Sequence, residues 1–320
     1  MEFALHSGNF SCEIYHRAEE AVKVSDTPTL TKVEPCIIVT LPTMTIRNLL
    51  KQGNALLRNH VDAPSLDARL ILGHILNASH TQLLGRIDES VDREAIERFQ
   101  HALNRRLDGE CTAYILGYKE FWGLPFVITS AVLVPRPDTE TLVSVALDFI
   151  RQRRGNSVLE LCTGSGAVGI SLKRERPALT VTASDVSRDA LEIARQNARN
   201  LQADIRLVHG DLFERIEGCF DLIVANPPYI PTRELAALPR EVQKEPRLAL
   251  DGGEDGLALI RRIIASAPNH LTPQGMLLLE IDPSQTPAVR DLLTRFREVQ
   301  TFRDLAGAER VIAASTAEGY

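Results

Sequence analysis

Residues 157–169 read SVLELCTGSGAVG, and their interpretation decides the fold. Ser157–Leu161 is a short apolar run of strand type that passes directly into a glycine-rich turn, after which a helical apolar pattern begins. Glycines at such a turn let a ligand approach the backbone closely, and the helix N-terminus that follows adds its dipole. Working outward, further strand-type runs fall at 180–184, 205–208, 220–225 and 276–281. Helical stretches separate the first four, and a long loop plus a helix precedes the fifth. That alternation predicts an α/β domain with a parallel sheet covered on both faces. Residues 299–302 and 310–314, joined by a turn containing Gly307, are expected to close it as an antiparallel pair.

Upstream, the style differs. Residues 1–43 keep no sustained period and are broken at Thr27-Pro28, Pro35 and Pro42, so they are expected to be a dispensable, unordered N-terminal extension. A helical domain is expected over 44–115, with Ile46, Leu49, Leu50, Leu56 and Leu57 on one face of its first helix. Pro64-Ser65 offers the next start, Ser65 being a candidate N-cap, followed by an inward stripe of Leu66, Leu70, Ile71 and Ile75. A third helix runs from about residue 93 to 107, with Ile96, Phe99, Leu103 and Leu107 inward. Residues 116–136 are expected to be a β-hairpin linker: Glu120-Phe121-Trp122, a turn at Gly123-Leu124-Pro125, Phe126-Val127-Ile128, and an added strand at Val132-Leu133-Val134. The segment from Pro135 to Glu140 then leads into a helix reaching about Ile150, within a final domain of 137–320.

Composition excludes several classes. The 320 residues are 44% hydrophobic and 24% charged, which rules out wholesale disorder. The net charge of -6 argues against a protein held on nucleic acid mainly by phosphate neutralisation. Residues 43–110 carry nine Lys/Arg against nine Asp/Glu, so the helical part is not a basic clamp either. Cys12, Cys36, Cys111, Cys162 and Cys219 are scattered, without a Cys-x-x-Cys pair, and the eight histidines form no His-x-x-x-His pair. No metal site or disulfide framework is expected, and a reducing cytoplasmic setting fits. No apolar run approaches the length of a membrane span.

The glycine loop is ambiguous by itself. Gly164, Gly166 and Gly169 satisfy the dinucleotide G-x-G-x-x-G pattern, and Asp185 falls where a ribose-binding carboxylate is expected. Glu160, an acidic end to the first strand, favours the pattern of S-adenosylmethionine-dependent methyltransferases instead, because a sulfonium and an ammonium gain from nearby carboxylates and need no pyrophosphate cradle.

The deciding motif is Asn226-Pro227-Pro228-Tyr229, at the end of the run Phe220–Ala225. Such a tetrapeptide arises by chance in roughly one chain in a thousand of this length. A planar amide or aromatic amine is a poor nucleophile because its lone pair is delocalised. The side-chain oxygen of Asn226 and the backbone carbonyl of Pro227 can hold its N–H groups and aim the nitrogen at a methyl group. Proline fixes the backbone around that carbonyl, and Tyr229 can stack on the flat substrate group. Rate then comes mainly from alignment, without a base of high pKa.

The ordered set of Glu120-Phe121-Trp122, residues 135–140, residues 160–166, Asp185, residues 226–229, Glu245-Pro246, residues 250–257, residues 304–307 and Arg310-Val311 resembles the bacterial release-factor glutamine methyltransferases over about residues 44–320. The resemblance implies a class I SAM-dependent methyltransferase fold, Rossmann-like with seven strands, behind a small helical domain and a hairpin linker. It implies transfer of a methyl group from S-adenosyl-L-methionine to the glutamine of the Gly-Gly-Gln motif in class I peptide chain release factors. By the same carry-over, Glu160, Cys162, Thr163, Gly164, Ser165, Gly166, Asp185, Leu212 and Asn226 line the cofactor site, with Leu212 near the adenine. Asn226, Pro227, Pro228 and Tyr229 hold the substrate glutamine, with Asn226, Pro227 and Tyr229 as the catalytic set. Two positions depart from the family pattern: Glu160 stands for the usual aspartate and Cys162 for the usual first glycine. Cys162 is strained if that position needs positive φ, and a nucleophilic role for it is the weaker reading.

Competing readings are a ribosomal-protein glutamine methyltransferase, which shares the tetrapeptide, and an adenine methyltransferase, which would need a basic target-recognition surface. Residues 136–140 favour the release-factor branch over the ribosomal one. A dehydrogenase would need a hydride-site acid or base that the histidines do not supply, and the intact Asn226 and Asp185 argue against a binding module without catalysis. No membrane or direct nucleic-acid partner is expected.

Overall fold

A computed structural model of the chain describes residues 44–153 and 155–316, and the expectation for 1–43 lies outside the described residues. Five helices come first: α1 (Ile46–Leu57), α2 (Pro64–Ile75), α3 (His80–Gly85), α4 (Arg93–Leu107) and α5 (Thr112–Leu116). A hairpin follows, β1 (Tyr118–Phe121) with β2 (Leu124–Val127), and then α6 (Glu140–Arg153). The remainder alternates: β3 (Ser157–Leu161), α7 (Ala167–Glu175), β4 (Thr180–Asp185), α8 (Arg188–Asn200), β5 (Arg206–His209) and β6 (Phe220–Ala225). After the short α9 (Arg240–Gln243) come α10 (Ala258–Ser266), β7 (Leu271–Glu280), α11 (Thr286–Leu292), β8 (Glu298–Arg303) and β9 (Glu309–Ser315).

Seven strands form one sheet in the order β5-β4-β3-β6-β7-β9-β8. The first five are parallel, and β9 runs antiparallel to both neighbours, as the terminal pair predicts. Both faces are buried, which is why these strands read as continuous apolar runs. Val158, Leu222, Val224 and Leu278 enter the core under α6 and α7, whereas Leu159, Leu161, Ile223, Leu277 and Leu279 enter the core under α10 and α11. From β3 the chain builds outward through β4 and β5, then returns to β3's other side with β6 and β7. The strand order therefore reverses between β3 and β6, and a ligand crevice opens beyond their carboxyl ends.

The helical part packs its own core from Ile46, Leu49, Leu57, Ile71, Leu72, Phe99 and Leu103. Here several expectations need correction. Helix α2 begins at Pro64 with Ala63 before it, so Ser65 lies inside the first turn and caps nothing. Its buried arc is Asp67, Ala68, Ile71 and Leu72, while Leu66 and Leu70 are exposed, as is Leu56 of α1. The inward side departs from the expected apolar stripe because it contains a charge. Asp67 is buried against Arg106 of α4 (2.7 Å), and Arg106 in turn reaches Glu241 of α9 (2.6 Å). A paired charge at an inward position hides the helical period from any hydrophobic count.

The hairpin turns one residue early, at Trp122 (φ +52°) and Gly123 (φ +66°), because a two-residue turn with both φ positive matches the twist of the strands. Val132-Leu133-Val134 forms no strand. Side chains take its backbone groups instead: the Tyr114 hydroxyl donates to the Val132 carbonyl (2.7 Å), and the Val134 N–H donates to Glu245 (3.1 Å). No helix among the described residues is long and apolar enough to cross a membrane.

Candidate active site

The loop after β3 is ordered from within. Three of its amide donors are already taken: Thr163 N–H by the Ser184 carbonyl (3.0 Å), Gly166 N–H by the Thr163 carbonyl (2.8 Å), and Gly164 N–H by Asp185 Oδ2 (2.9 Å). The other Asp185 oxygen accepts from Ser187 N–H (2.8 Å). Glu160 Oε2 accepts from Gly169 N–H in the first turn of α7 (3.0 Å) and from the Thr163 hydroxyl (2.6 Å). A protein carboxylate thus occupies the helix N-terminus where a dinucleotide would place its pyrophosphate. This settles the ambiguity of the glycine pattern against a dinucleotide. Gly169 is required by the same contact, since a Cβ there would lie 2.5 Å from Glu160 Oε2.

Burial pushes the Glu160 carboxyl up to about 8 in spite of its two hydrogen bonds, with Asp185 adding repulsion. Asp185 is likewise raised, chiefly by burial. Cys162 has φ +56°, the strained left-handed conformation expected of a residue standing where glycine is usual. Burial, then the charges of Asp185 and Asp211, push its thiol up, so it stays protonated and is a poor nucleophile.

A cavity opens at these strand tips. Glu160, Cys162, Thr163, Gly164, Ser165, Asp185 and Leu212 line one end, and Asn226 and Pro228 also face it. Glycine loop and tetrapeptide therefore share one crevice. Three predicted residues do not line it. Gly166 forms the N-cap of α7, Pro227 lies between two lining residues, and Tyr229 is packed beside the core under α10. The Tyr229 hydroxyl is pushed up to about 12 by burial and by Glu280. Its carbonyl accepts from Gln285 Nε2 (2.9 Å), and Gly256 passes so close behind that a Cβ there would stand 2.2 Å from the same oxygen.

Sequence reasoning left several participants unassigned. Thr139 and Leu133 line the cavity, as do Pro246 and the exposed Leu248. Asn226 donates through Nδ2 to Thr139 Oγ1 (3.2 Å), which turns its carboxamide oxygen away from Thr139 and leaves it free to accept. Glu245, buried after α9, accepts from Arg136 (2.5 Å) as well as from Val134, tying the wall at 132–136 to the segment that carries Pro246 and Leu248. The quoted segments 135–140 and 245–246 contain Arg136, Thr139, Glu245 and Pro246, but nothing in their spacing marks the contact between them. Among the described residues no group of three or more His, Cys, Asp or Glu side chains could hold a metal ion.

Two family models match the chain: the PrmC N-terminal domain over residues 48–117, and the methyltransferase small domain over residues 138–245. The chain is 40% identical to the release factor glutamine methyltransferase of Moorella thermoacetica, over 85% of its own length and 98% of the relative's. It is 39% identical to the protein of the same name from Deinococcus radiodurans, over 86% and 100%. Among solved structures it superposes on the hMettl16 catalytic domain, solved with the MAT2A 3'UTR hairpin 6, with a TM-score of 0.51 at 17% identity. That alignment covers 71% of this chain and 83% of the other, and it speaks for the fold alone.

Proposed function

The chain belongs to the release factor glutamine methyltransferase family, and on that premise we propose which glutamine it modifies and what each residue contributes. It is an S-adenosyl-L-methionine-dependent methyltransferase of class I fold that methylates glutamine in release factors. The glutamine we assign is that of the Gly-Gly-Gln motif of class I peptide chain release factors, and the setting is the cytoplasm. The near-neutral helical part, 44–115, is the proposed docking element for that protein partner, and neither nucleic acid nor membrane is expected to bind.

The donor set suits the cofactor. Glu160 and Asp185 border one cavity, and neither makes an ion pair among the described residues. S-adenosyl-L-methionine supplies a methyl carbon made electrophilic by the adjoining sulfonium. A cationic ligand end beside Glu160 favours the ionised form of this carboxyl against the burial that raises it, and Asp185 keeps lone pairs for ribose hydroxyls beyond the two it gives to Gly164 and Ser187. Leu212 offers an apolar wall for the adenine.

At the other tip, the Asn226 oxygen accepts one N–H group of the substrate amide, and the second is assigned to the carbonyl of Pro227, which does not itself line the cavity but lies between the lining residues Asn226 and Pro228. Neither oxygen accepts a hydrogen bond from another described residue. The amide nitrogen is thereby held toward the methyl group, and its surplus proton leaves to water after transfer, so no strong base is needed. The observation that carries this reading is the Asn226–Thr139 contact, which engages the NH2 end of a cavity-lining carboxamide and leaves its oxygen free to accept. The test is incubation with radiolabelled S-adenosylmethionine and, in turn, release factor, ribosomal protein and DNA, followed by mapping of the label. Label on the Gly-Gly-Gln glutamine supports the proposal. Label on ribosomal protein or DNA with none on release factor overturns it.

A further inference from the structure

Asn226 and Glu280 stand at the tips of neighbouring strands. Ala225, the last residue of β6, pairs with Leu279 of β7, so the next residue on each chain is Asn226 on one side and Glu280 on the other. Thr139, from the 3-10 turn Pro137–Thr139, is buried beside both: its oxygen accepts from Asn226 Nδ2 (3.2 Å), and it is the side chain that most favours the ionised form of the Glu280 carboxyl. Glu280 is 1% exposed, and its Oε2 has no hydrogen-bond partner. An ionisable group kept buried with half its acceptors unused weakens the fold, and an apolar residue would fill the space without that cost.

A threonine hydroxyl has one proton. Once Glu280 holds it, only lone pairs remain to face Asn226. Only the NH2 end of a carboxamide can meet a lone pair, so the Oδ1 end must turn toward the cavity. We infer that Glu280 is a positioning residue for the methyl transfer, acting through Thr139 to fix the Asn226 carboxamide with its oxygen toward the substrate amide. This inference rests on the role assigned to Asn226 above.

Protonation of Glu280 undoes the device. The neutral acid can donate to Thr139, the threonine proton is freed, and it can then meet Oδ1, so both orientations of the carboxamide open. The groups that bear on Glu280 are Arg310 from β9, Asp138 and Arg136 from the segment before α6, and Tyr229 after β6. Arg310 itself is shared between Asp304 and Asp138 (3.2 Å each). Burial outweighs the two arginines and holds Glu280 at about 7. Turnover is therefore expected to fall on the acid side of neutrality, with carboxamide order rather than ligand binding as the cause.

The experiment measures kcat and KM for release factor across about pH 6 to 9 for the wild type, Thr139→Val, Thr139→Ser and Glu280→Gln. Cofactor affinity is measured by calorimetry and folding by thermal melting. Thr139→Val should lower kcat about a hundredfold with cofactor affinity unchanged, and Thr139→Ser should restore it. Glu280→Gln should abolish the acid limb of the profile. A Thr139→Val enzyme with wild-type kcat, or a Glu280→Gln enzyme with the wild-type acid limb, overturns the inference. If the valine variant does not fold, the serine and glutamine variants still decide. A wild type that labels no release factor would sink the substrate assignment instead, so the two failures are distinguishable.

Discussion

Replacing Asp185 by asparagine separates what this side chain does for the fold from what it does for the ligand. Its two oxygens accept from Ser187 N–H and Gly164 N–H at 2.8 and 2.9 Å. Asparagine keeps one acceptor oxygen, so one backbone N–H is left facing an amide NH2, which costs about 1–3 kcal/mol. Against this, burial holds the aspartate carboxyl above its usual range, so at neutral pH the ionised side chain carries a desolvation cost that its bonds do not recover. Removing the charge relieves that cost, so the two effects are opposite in sign, and the melting temperature of the cofactor-free protein should fall by less than the unpaired N–H alone would cause. Binding has no such compensation. Ribose hydroxyls lose a charged acceptor worth about 1.5–3 kcal/mol per bond, which converts to roughly 10- to 100-fold weaker cofactor binding. Calorimetric titration with S-adenosylmethionine and thermal melting without it measure the two separately. An unchanged dissociation constant, or a melting point lowered by more than about 10 °C, would refute this division of roles.

Asn226→Ala should reduce turnover by about 10²- to 10³-fold, the scale seen when one fixed polar partner of a reacting group is removed. Its cofactor affinity should stay near wild type, and equal loss of both in kinetics and titration would mean the side chain serves the cofactor instead. At position 162, glycine relieves the φ of +56° and alanine does not, so Cys162→Gly should exceed Cys162→Ala in stability by about 1 kcal/mol. Denaturant melts of the pair would show the opposite order if the left-handed backbone were unstrained. Glu160 sits at about 8 in the folded chain against an ordinary 4.5, so the fold binds more protons than the unfolded chain between those values. Its contribution is fully present below about pH 4.5 and is lost as pH rises toward 8, of order a few kcal/mol. Glu160→Gln should accordingly gain on the wild type in midpoint as pH increases, and a constant difference between the two would contradict the raised carboxyl.

The sheet was legible because both its faces are buried. Phe220–Ala225 is apolar at five of its six positions, and no turn residue interrupts it. Glu160, Asp185 and Asn226 were legible for a related reason: each is a polar residue at the end of such a run, where a parallel sheet exposes its ligand face. What escaped notice depends on register. Thr139 lies 87 positions from Asn226, and Glu280 meets it only because β6 and β7 pair Ala225 with Leu279. The inward side of α2 escaped for the same reason, since Asp67 can be buried only beside an Arg106 that is 39 residues away. Local chemistry announces strands and loops, whereas charge pairs across the fold are visible only once the chain has closed.

The tight passage of Gly256 behind Tyr229 bears on how inactive alleles of this gene would distribute. A methyl group at 256 would stand 2.2 Å from the Tyr229 oxygen and 2.6 Å from Gln285 Nε2, on a backbone at φ +79° that disfavours any side chain. Such an allele would shove the tetrapeptide forward from its hidden side, leaving donor uptake intact while methyl delivery stops. Geneticists collecting null mutants should thus recover missense hits in a stretch that touches neither reactant, clustering along the buttress that keeps the tetrapeptide seated.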